Sequence, residues 1–192
     1  MNISIISAST RKDNNTHRVG LLIYKSLLDY HLHPNLINLK EYNFPIFDEV
    51  FQKLESPSDG LKNFRNQINK SDAIIFVSPE YNGSYTSALK NAVDCLKNKE
   101  FYKKLIGVVS VSTGALGGIR AAIQMQQLVL SIQGYAMPQM LLVPNVTEKI
   151  DENGEILDKS FVNKVKVFID EFLWLADAIV MKKNVDNLKQ NL

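Results

Sequence analysis

The stretch AIIFVSPEYNGSYTSALKNAVD, residues 73–94, decides the fold of this 192-residue chain. It opens with a continuous apolar run, residues 73–77, as expected for a strand in a sheet that is covered on both faces. It closes with apolar residues three to four positions apart, at Leu89, Ala92 and Val93, which is the period of one helix face. The stretch therefore predicts a buried strand, a loop and a helix in succession.

The same alternation of strand and helix patterns recurs along the chain. The predicted strands are short apolar runs, at residues 3–6, 35–39, 73–77, 105–111 and 140–143. Helical periods follow each of them and include residues 119–132 and 161–179. In the last helix we interpret Trp174 and the Phe stripe as packing residues. Five strand-helix units predict an α/β fold with one doubly wound parallel sheet and right-handed crossovers.

Composition and charge exclude several classes of protein. Hydrophobic residues make up 45% of the chain and charged residues 22%, close to globular averages, so disorder and fibrous repeats are excluded. The net charge of +2 is too small for a surface dominated by nucleic-acid contacts. The single Cys95 excludes an internal disulfide, and there is neither an export signal nor a membrane-length apolar run. We expect a cytoplasmic protein with one domain over residues 1–182 and a polar, fraying tail over residues 183–192.

The loop after the first predicted strand, residues 7–18, is rich in hydroxyls, amides and cations. Such side chains and the open N–H groups at the start of a helix can bind phosphate oxygens. The alternative is an ordinary helix cap at Asn14, Asn15 or Thr16. Neither the Walker motif nor the dinucleotide fingerprint occurs in the chain, which leaves a mononucleotide phosphate as the candidate ligand.

Two further loops follow the third and fourth predicted strands. Residues 78–85 hold a proline, aromatics and a glycine, which suits a rigid loop beside a flat ligand, although a plain turn before a helix explains them equally well. Residues 112–118 hold three glycines within five positions, more than a turn requires. Because the carboxyl ends of parallel strands share one edge of the sheet, the three loops together predict a planar, phosphorylated ligand.

These motifs carry a resemblance to a known family. The segments PEYNGS at residues 79–84 and LKNAVD at residues 89–94 resemble the P-x-Y-N-x-S and L-K-N-x-x-D signature of NAD(P)H-dependent FMN reductases. These flavodoxin-like proteins include azo-dye, quinone and chromate reductases, and the resemblance covers the chain from about Ile3 to Ile179. It implies a flavodoxin-like five-stranded sheet in the order 2-1-3-4-5, with helices on both faces.

The resemblance also implies a cofactor site. It places the FMN phosphate at Ser9, Arg11, Asn14, Asn15 and Thr16, the flavin and ribityl surroundings at Pro79, Glu80, Tyr81, Asn82 and Ser84, and the flavin's other edge at Ser112, Gly114 and Gly117. Three positions depart from the family pattern: Ala8 replaces a glycine, Asn14 replaces a serine, and Gln126 stands where many members carry an arginine. No metal site is expected.

By the same resemblance, the chain is expected to be an NAD(P)H-dependent oxidoreductase that reduces a quinone, azo compound, flavin or metal oxyanion by a ping-pong mechanism. The flavin itself takes the hydride, so no catalytic acid or base is expected from the protein. His17, His31 and His33 are interpreted as surface residues, with a place near the phosphate as the alternative for His17. The resemblance further implies a homodimer or homotetramer, with a surface at residues 89–96 and in the long segment 40–59, which is either a functional loop or a covering flap.

Three alternatives remain at this point. One is a flavodoxin-like electron carrier without nicotinamide turnover, although carriers of that kind resemble strongly acidic proteins and this chain has a net charge of +2. Another is a regulatory protein that binds a nucleotide. A third, a signalling receiver domain, is weak, because by resemblance it would need acidic residues where Ser7 and Ser9 stand.

Overall fold

The computed structural model describes residues 1–190 and contains one five-stranded parallel sheet. The strands are β1 (Ile3–Ser7), β2 (Asn35–Asn38), β3 (Ala73–Pro79), β4 (Leu105–Val111) and β5 (Tyr135–Val143). Their order in the sheet is β2-β1-β3-β4-β5, and all neighbouring pairs are parallel. The predicted flavodoxin-like sheet is therefore confirmed.

Six α-helices connect and follow the strands in the described part of the chain. They are α1 (Asn15–Leu28), α2 (Asp59–Lys70), α3 (Ser87–Asp94), α4 (Ile119–Ser131), the single turn α5 (Val146–Lys149) and α6 (Val162–Gln190). The polar segment that begins at Lys183 continues α6 as far as Gln190, and residues 191–192 of the predicted tail lie outside the described residues. None of the described helices is both long enough and apolar enough to cross a membrane.

The core lies on both faces of the sheet, which explains the continuous apolar strands. Successive residues of a strand point to opposite faces, so Ile5 and Ile75 pack against α1 and α6, whereas Ile6 and Phe76 pack against α2, α3 and α4. Every residue of β1, β3 and β4 is buried. The central strands therefore have no solvent-facing side, and their ends are held rigidly.

Two details differ from the sequence predictions. Strand β5 begins at Tyr135, five residues before the predicted start, because it is an edge strand in which buried Met137 alternates with half-exposed or exposed neighbours. Pro138 lies between Ala136 and Met140, where the pairing of β5 with β4 shifts register, so no regular ladder hydrogen bond needs its missing N–H group. The interpretation of Trp174 as a packing residue is wrong, since its side chain is 68% exposed on the outer face of α6, opposite the buried Phe168 and Phe172.

Candidate functional site

A small cavity lies at the carboxyl ends of β1, β3 and β4. This edge includes the point between β1 and β3 where the chain reverses its direction of winding, the usual place for a ligand in such sheets. The volume of the cavity is about 160 Å³. Its lining comes from all three predicted loops and from α5: Ser9, Arg11, Asp13, Asn15, Thr16, Pro79, Glu80, Tyr81, Val111, Ser112, Thr113 and Val146.

The first loop presents the N-terminus of α1 to this cavity. Asn14 is the cap residue, because its Oδ1 accepts a hydrogen bond from the His17 N–H at 3.0 Å. Its Nδ2 donates to the Ser9 carbonyl at 2.7 Å, which closes the loop on itself. Asn15 and Thr16 are then the first residues of the helix, where backbone N–H groups have no partner within the helix. The cap thus leaves an oriented, partly positive helix end at the cavity.

Side chains of the first and second loops meet above this helix end. The Oγ atom of Ser9 lies 3.1 Å from the hydroxyl of Tyr81, and the Arg11 guanidinium carbon lies 5.7 Å from the centre of the Tyr81 ring. Ser9 and Thr16 are each only 1% exposed, so the surrounding residues confine both side chains at the cavity wall. Asp13 adds a carboxylate that the sequence analysis did not include.

The second loop folds into a tight two-residue turn. Tyr81 and Ser84 exchange backbone hydrogen bonds of 2.8 and 3.1 Å, and Asn82 and Gly83 between them have φ angles of +51° and +81°. An Asn-Gly pair with both φ angles positive is the signature of a type I′ turn. The Thr86 side chain caps α3 by accepting from the Leu89 N–H, and it donates to the Ala8 carbonyl at 2.7 Å.

Glu80 stands at the start of that turn and caps a helix from outside. Its Oε2 atom accepts from the backbone N–H groups of Arg120 and Ala121 at 3.2 and 3.4 Å, in the first turn of α4. The residue before α4 is Gly118, which has no side chain for this purpose. Oε1 of Glu80 accepts from Nε and Nη2 of Arg120 at 2.9 and 2.5 Å. Both oxygens of the Glu80 carboxylate therefore accept hydrogen bonds from α4.

In the third loop, residues 112–118, the glycines Gly114 and Gly117 play different structural roles. Gly117 has a φ of +62°, and a Cβ atom there would lie 3.1 Å from Leu142 Cβ and from the Pro144 nitrogen, so a side chain would strain the backbone and press on both neighbours. Its carbonyl accepts from the Ser110 hydroxyl at 2.6 Å. The N–H group of Gly114 donates to the Ser112 hydroxyl at 3.0 Å. Ser112 thus lines the cavity, and the glycines fold the backbone that carries it.

Eight of the thirteen residues predicted for the site line the cavity: Ser9, Arg11, Asn15, Thr16, Pro79, Glu80, Tyr81 and Ser112. The other five do not: Asn14, Asn82, Ser84, Gly114 and Gly117. In the structure these five cap or shape the loops, and the Ser84 hydroxyl also donates to Gln124 Oε1 at 2.6 Å. Among the lining residues that sequence reasoning missed, Thr113 adjoins the predicted Ser112, whereas Val146 comes from α5, which no sequence pattern indicated.

The second half of the sequence signature has a structural role in the described chain. Asn91 on α3 donates from Nδ2 to the Pro45 carbonyl at 2.8 Å and accepts from the Phe47 N–H at 2.7 Å. It thereby fastens the long segment after β2 to α3. Within that segment Phe44 packs on Phe64 of α2, whereas Ile46 is 88% exposed.

The histidines and the cysteine lie outside the cavity lining. His31 and His33 are exposed, and His17 is half-buried in α1 with a buried Nδ1 that has no partner in the described structure. Burial raises the pKa of the Cys95 thiol, and it likewise raises the pKa of the Tyr85 hydroxyl beside the second loop. Both groups therefore stay protonated at neutral pH.

Comparisons with known proteins agree with this architecture. The sequence model of a family described as NADPH-dependent FMN reductase matches residues 1–148. A quinone reductase from Pseudomonas putida is 30% identical over 179 residues, which is 88% of this chain and 91% of the relative. An NADPH azoreductase from a Bacillus species is 23% identical over 155 residues, which is 81% of this chain and 83% of the relative.

A solved structure has the same fold. The flavoenzyme NAD(P)H:(acceptor) oxidoreductase from Paracoccus denitrificans superposes with a TM-score of 0.76 at 22% identity, and the match covers 94% of this chain and 97% of that one.

Proposed function

The chain belongs to the NADPH-dependent FMN reductase family, and on that premise we propose that the cavity at the N-terminus of α1 holds the phosphate of FMN. The protein is an NAD(P)H-dependent FMN oxidoreductase that acts on a small electron acceptor. The observation that carries the proposed location is the meeting of a helix N-terminus, two hydroxyls on buried residues and one arginine in a single cavity at the switch point of the sheet.

The donors in this cavity fit a phosphate. Ser9 and Thr16 supply hydroxyls, Arg11 supplies a guanidinium, and the first turn of α1 supplies unpaired N–H groups. Hydrogen bonds from such groups to an anion are stronger than bonds between neutral partners. Asp13 opposes a phosphate by its charge, so we propose that its carboxylate turns toward solvent when the phosphate is bound.

The remaining lining residues fit the rest of the cofactor. Pro79 and Tyr81 offer a rigid apolar and aromatic surface, and Ser112 and Thr113 offer polar groups on the other side. When bound, FMN supplies the redox chemistry, since a flavin takes a hydride from a nicotinamide and passes electrons to a second substrate. The chain's own residues hold and orient the cofactor, and we assign none of them the role of catalytic acid or base.

We propose a ping-pong reaction in which the nicotinamide and the acceptor use the same face in turn. The cavity is lined by residues from all three loops, and Tyr81, the first residue of the turn at residues 81–84, forms one of its walls. The acceptor we favour is a quinone, because the relative that is 30% identical is named a quinone reductase. Azo compounds, free flavin and metal oxyanions are the competitors in a substrate screen.

We also propose that the protein is a homodimer, or a homotetramer built from such dimers. A cavity of about 160 Å³ is smaller than the roughly 300–1,000 Å³ of most ligand sites, so a second chain would be needed to enclose the whole cofactor. Asn91 joins α3 to a segment that carries Ile46, which is 88% exposed, and Phe47, which is 40% exposed. Exposed apolar side chains of this kind suit contact with a partner chain.

The proposal also includes the extent of the domain and the location of the protein in the cell. Residues 1–182 form one FMN-binding domain, and residues 183–192 are a polar extension that the cofactor site does not need. We place the protein in the cytoplasm, where the buried thiol of Cys95 would stay reduced.

The experiment that tests the function mixes the purified protein anaerobically with NADPH or NADH. A protein that copurifies with FMN is yellow, and the absorbance near 450 nm (roughly the usual flavin maximum) should bleach with either nicotinamide and return when a quinone is added. Copurification of flavin without bleaching by either nicotinamide would favour an electron carrier. Failure to bind FMN at all would overturn the proposed site.

A further inference from the structure

The turn at residues 81–84 is held in place by helix α4. Besides the Glu80 contacts with Arg120, Gln124 donates from Nε2 to the Gly83 carbonyl at 2.9 Å, and its Oε1 accepts from the Ser84 hydroxyl at 2.6 Å. Arg120 and Gln124 are one helical turn apart, so both side chains lie on the same face of α4. One helix face therefore holds the start and the end of the turn.

These contacts reach across about 40 residues of sequence to the turn that follows β3. The Glu80 N–H donates to the Val111 carbonyl at 3.2 Å and the Thr86 N–H donates to the Ser78 hydroxyl at 3.1 Å, so both flanks of the turn are anchored. Between these anchors the backbone hydrogen bonds join Tyr81 to Ser84, and the Gln124 contacts add a further hold on the position of the turn. Its position determines where the Tyr81 hydroxyl meets Ser9 in the loop that precedes α1. A shift of the turn would thus move one wall of the cavity relative to the other.

We propose that Gln124, supported by Arg120, is a positioning residue of the FMN site, an inference that rests on the proposed function. Neither side chain lines the cavity. Gln124 acts through Gly83 and Ser84, and it holds the turn ready so that binding need not order it. A site whose walls are already in place binds more tightly, because less conformational entropy is lost when the ligand arrives.

Arg120 has a second, electrostatic effect. The Glu80 side chain is 11% exposed and lines the cavity, so an unpaired carboxylate there would repel the anionic cofactor. The Arg120 guanidinium neutralises it from the outer side, with its own side chain 67% exposed. Loss of Arg120 should therefore weaken FMN binding by charge as well as by geometry.

The helix offers a matched control for Gln124. Gln126, two positions along α4, also donates from Nε2 to a backbone carbonyl, that of Met137 on β5, at 2.6 Å. Replacing either glutamine by methionine keeps the side-chain length and removes its hydrogen bonds. In the FMN-free protein, each variant should lower the unfolding midpoint by about 2–4 °C, as expected for the loss of one or two hydrogen bonds in a chain of this size.

The two variants should differ in cofactor binding, measured by titrating the FMN-free protein and following the quenching of FMN fluorescence. Gln124→Met should raise the FMN Kd about fivefold or more, and the visible circular dichroism of the bound flavin should change. Gln126→Met should leave both unchanged. Arg120→Met should also raise the Kd, and adding Glu80→Gln to it should restore part of the affinity, because the uncompensated charge is then removed.

Several outcomes would overturn the inference. Equal FMN affinity in Gln124→Met and Gln126→Met would make Gln124 a purely structural residue. A weaker affinity that appears only together with dissociation into monomers, in light scattering of the same samples, would assign Gln124 to the subunit interface instead. If the wild-type protein binds no FMN, the proposed function fails first, so the two failures are distinguishable.

Discussion

Replacing Gly154 by alanine should destabilise the protein strongly and loosen the FMN site at a distance. Gly154 is buried in the turn between β5 and α6 and has a φ of +82°. A Cβ atom there would lie 2.7 Å from the backbone nitrogen of Leu22, 2.8 Å from Leu21 Cβ and 3.0 Å from the Arg18 carbonyl oxygen, all on α1. Two of these three atoms are backbone, so rotation of a side chain cannot relieve the contacts.

The magnitude follows from two contributions. A left-handed backbone costs a non-glycine residue roughly 1–2 kcal/mol, and overpacking at a rigid contact typically costs about 1–3 kcal/mol. Together the free energy of unfolding should fall by about 2–5 kcal/mol. At roughly 2–4 °C per kcal/mol for a chain of this size, the midpoint should drop by on the order of 5–15 °C.

Thermal unfolding and urea titration followed by far-UV circular dichroism measure this loss. Gly60→Ala is the control, because its Cβ would meet only Tyr42 Cδ1, at 3.9 Å. We expect the control to stay within about 1 kcal/mol of wild type and Gly154→Ala to weaken FMN binding, because α1 carries the phosphate loop. If Gly154→Ala is as stable as Gly60→Ala, the close packing of this turn on α1 is refuted.

Three further predictions concern charge, assembly and chemistry. Burial lowers the pKa of Lys104 to about 8 in the folded protein, so between pH 8 and 10.5 the unfolded chain holds more protons and the free energy of unfolding rises with pH. In urea titrations, wild type should gain on the order of 2 kcal/mol of stability relative to Lys104→Met from pH 7 to 10. A difference between the two proteins that stays constant with pH would contradict the lowered pKa. Asn91→Ala removes both hydrogen bonds to the segment at residues 45–47 and should raise the subunit dissociation constant at least about tenfold in sedimentation velocity. The control Asn98→Ala loses a single 3.4 Å bond to the Ser131 carbonyl and should leave the dissociation constant unchanged. Replacing His17, His31 and His33 together should slow flavin reduction in stopped-flow measurements by less than about tenfold; a loss of 100-fold or more would reveal acid-base catalysis by the protein.

The sequence predicted the parts of the fold that local patterns control. Burial on both faces makes strands such as β3 apolar without interruption, and helix periods were plain in α3 and in the N-terminal half of α6. The edge strand β5 was found only in its second half, because exposure of one side breaks the apolar run. Trp174 was misplaced because an aromatic residue near a buried stripe has no sequence signal that distinguishes the outer helix face.

Within the site, the sequence identified the loops better than the individual contacts. From the sequence Asn14 could be a phosphate ligand or a helix cap, and only the positions of His17 and the Ser9 carbonyl show it acting as a cap. Gln124 could not be found at all, since its partners Gly83 and Ser84 lie about 40 residues away and no spacing rule connects them. Contacts between distant segments depend on the packing of α4 against the sheet.

The most direct test of the central claim compares FMN with riboflavin in wild type and in Arg11→Ala. Both ligands carry the same ring and ribityl chain, so their difference in Kd isolates the phosphate. If the phosphate lies at the N-terminus of α1, Arg11→Ala should weaken FMN by on the order of tenfold or more and leave riboflavin nearly unchanged. Equal weakening of both ligands would place the phosphate elsewhere and contradict the account.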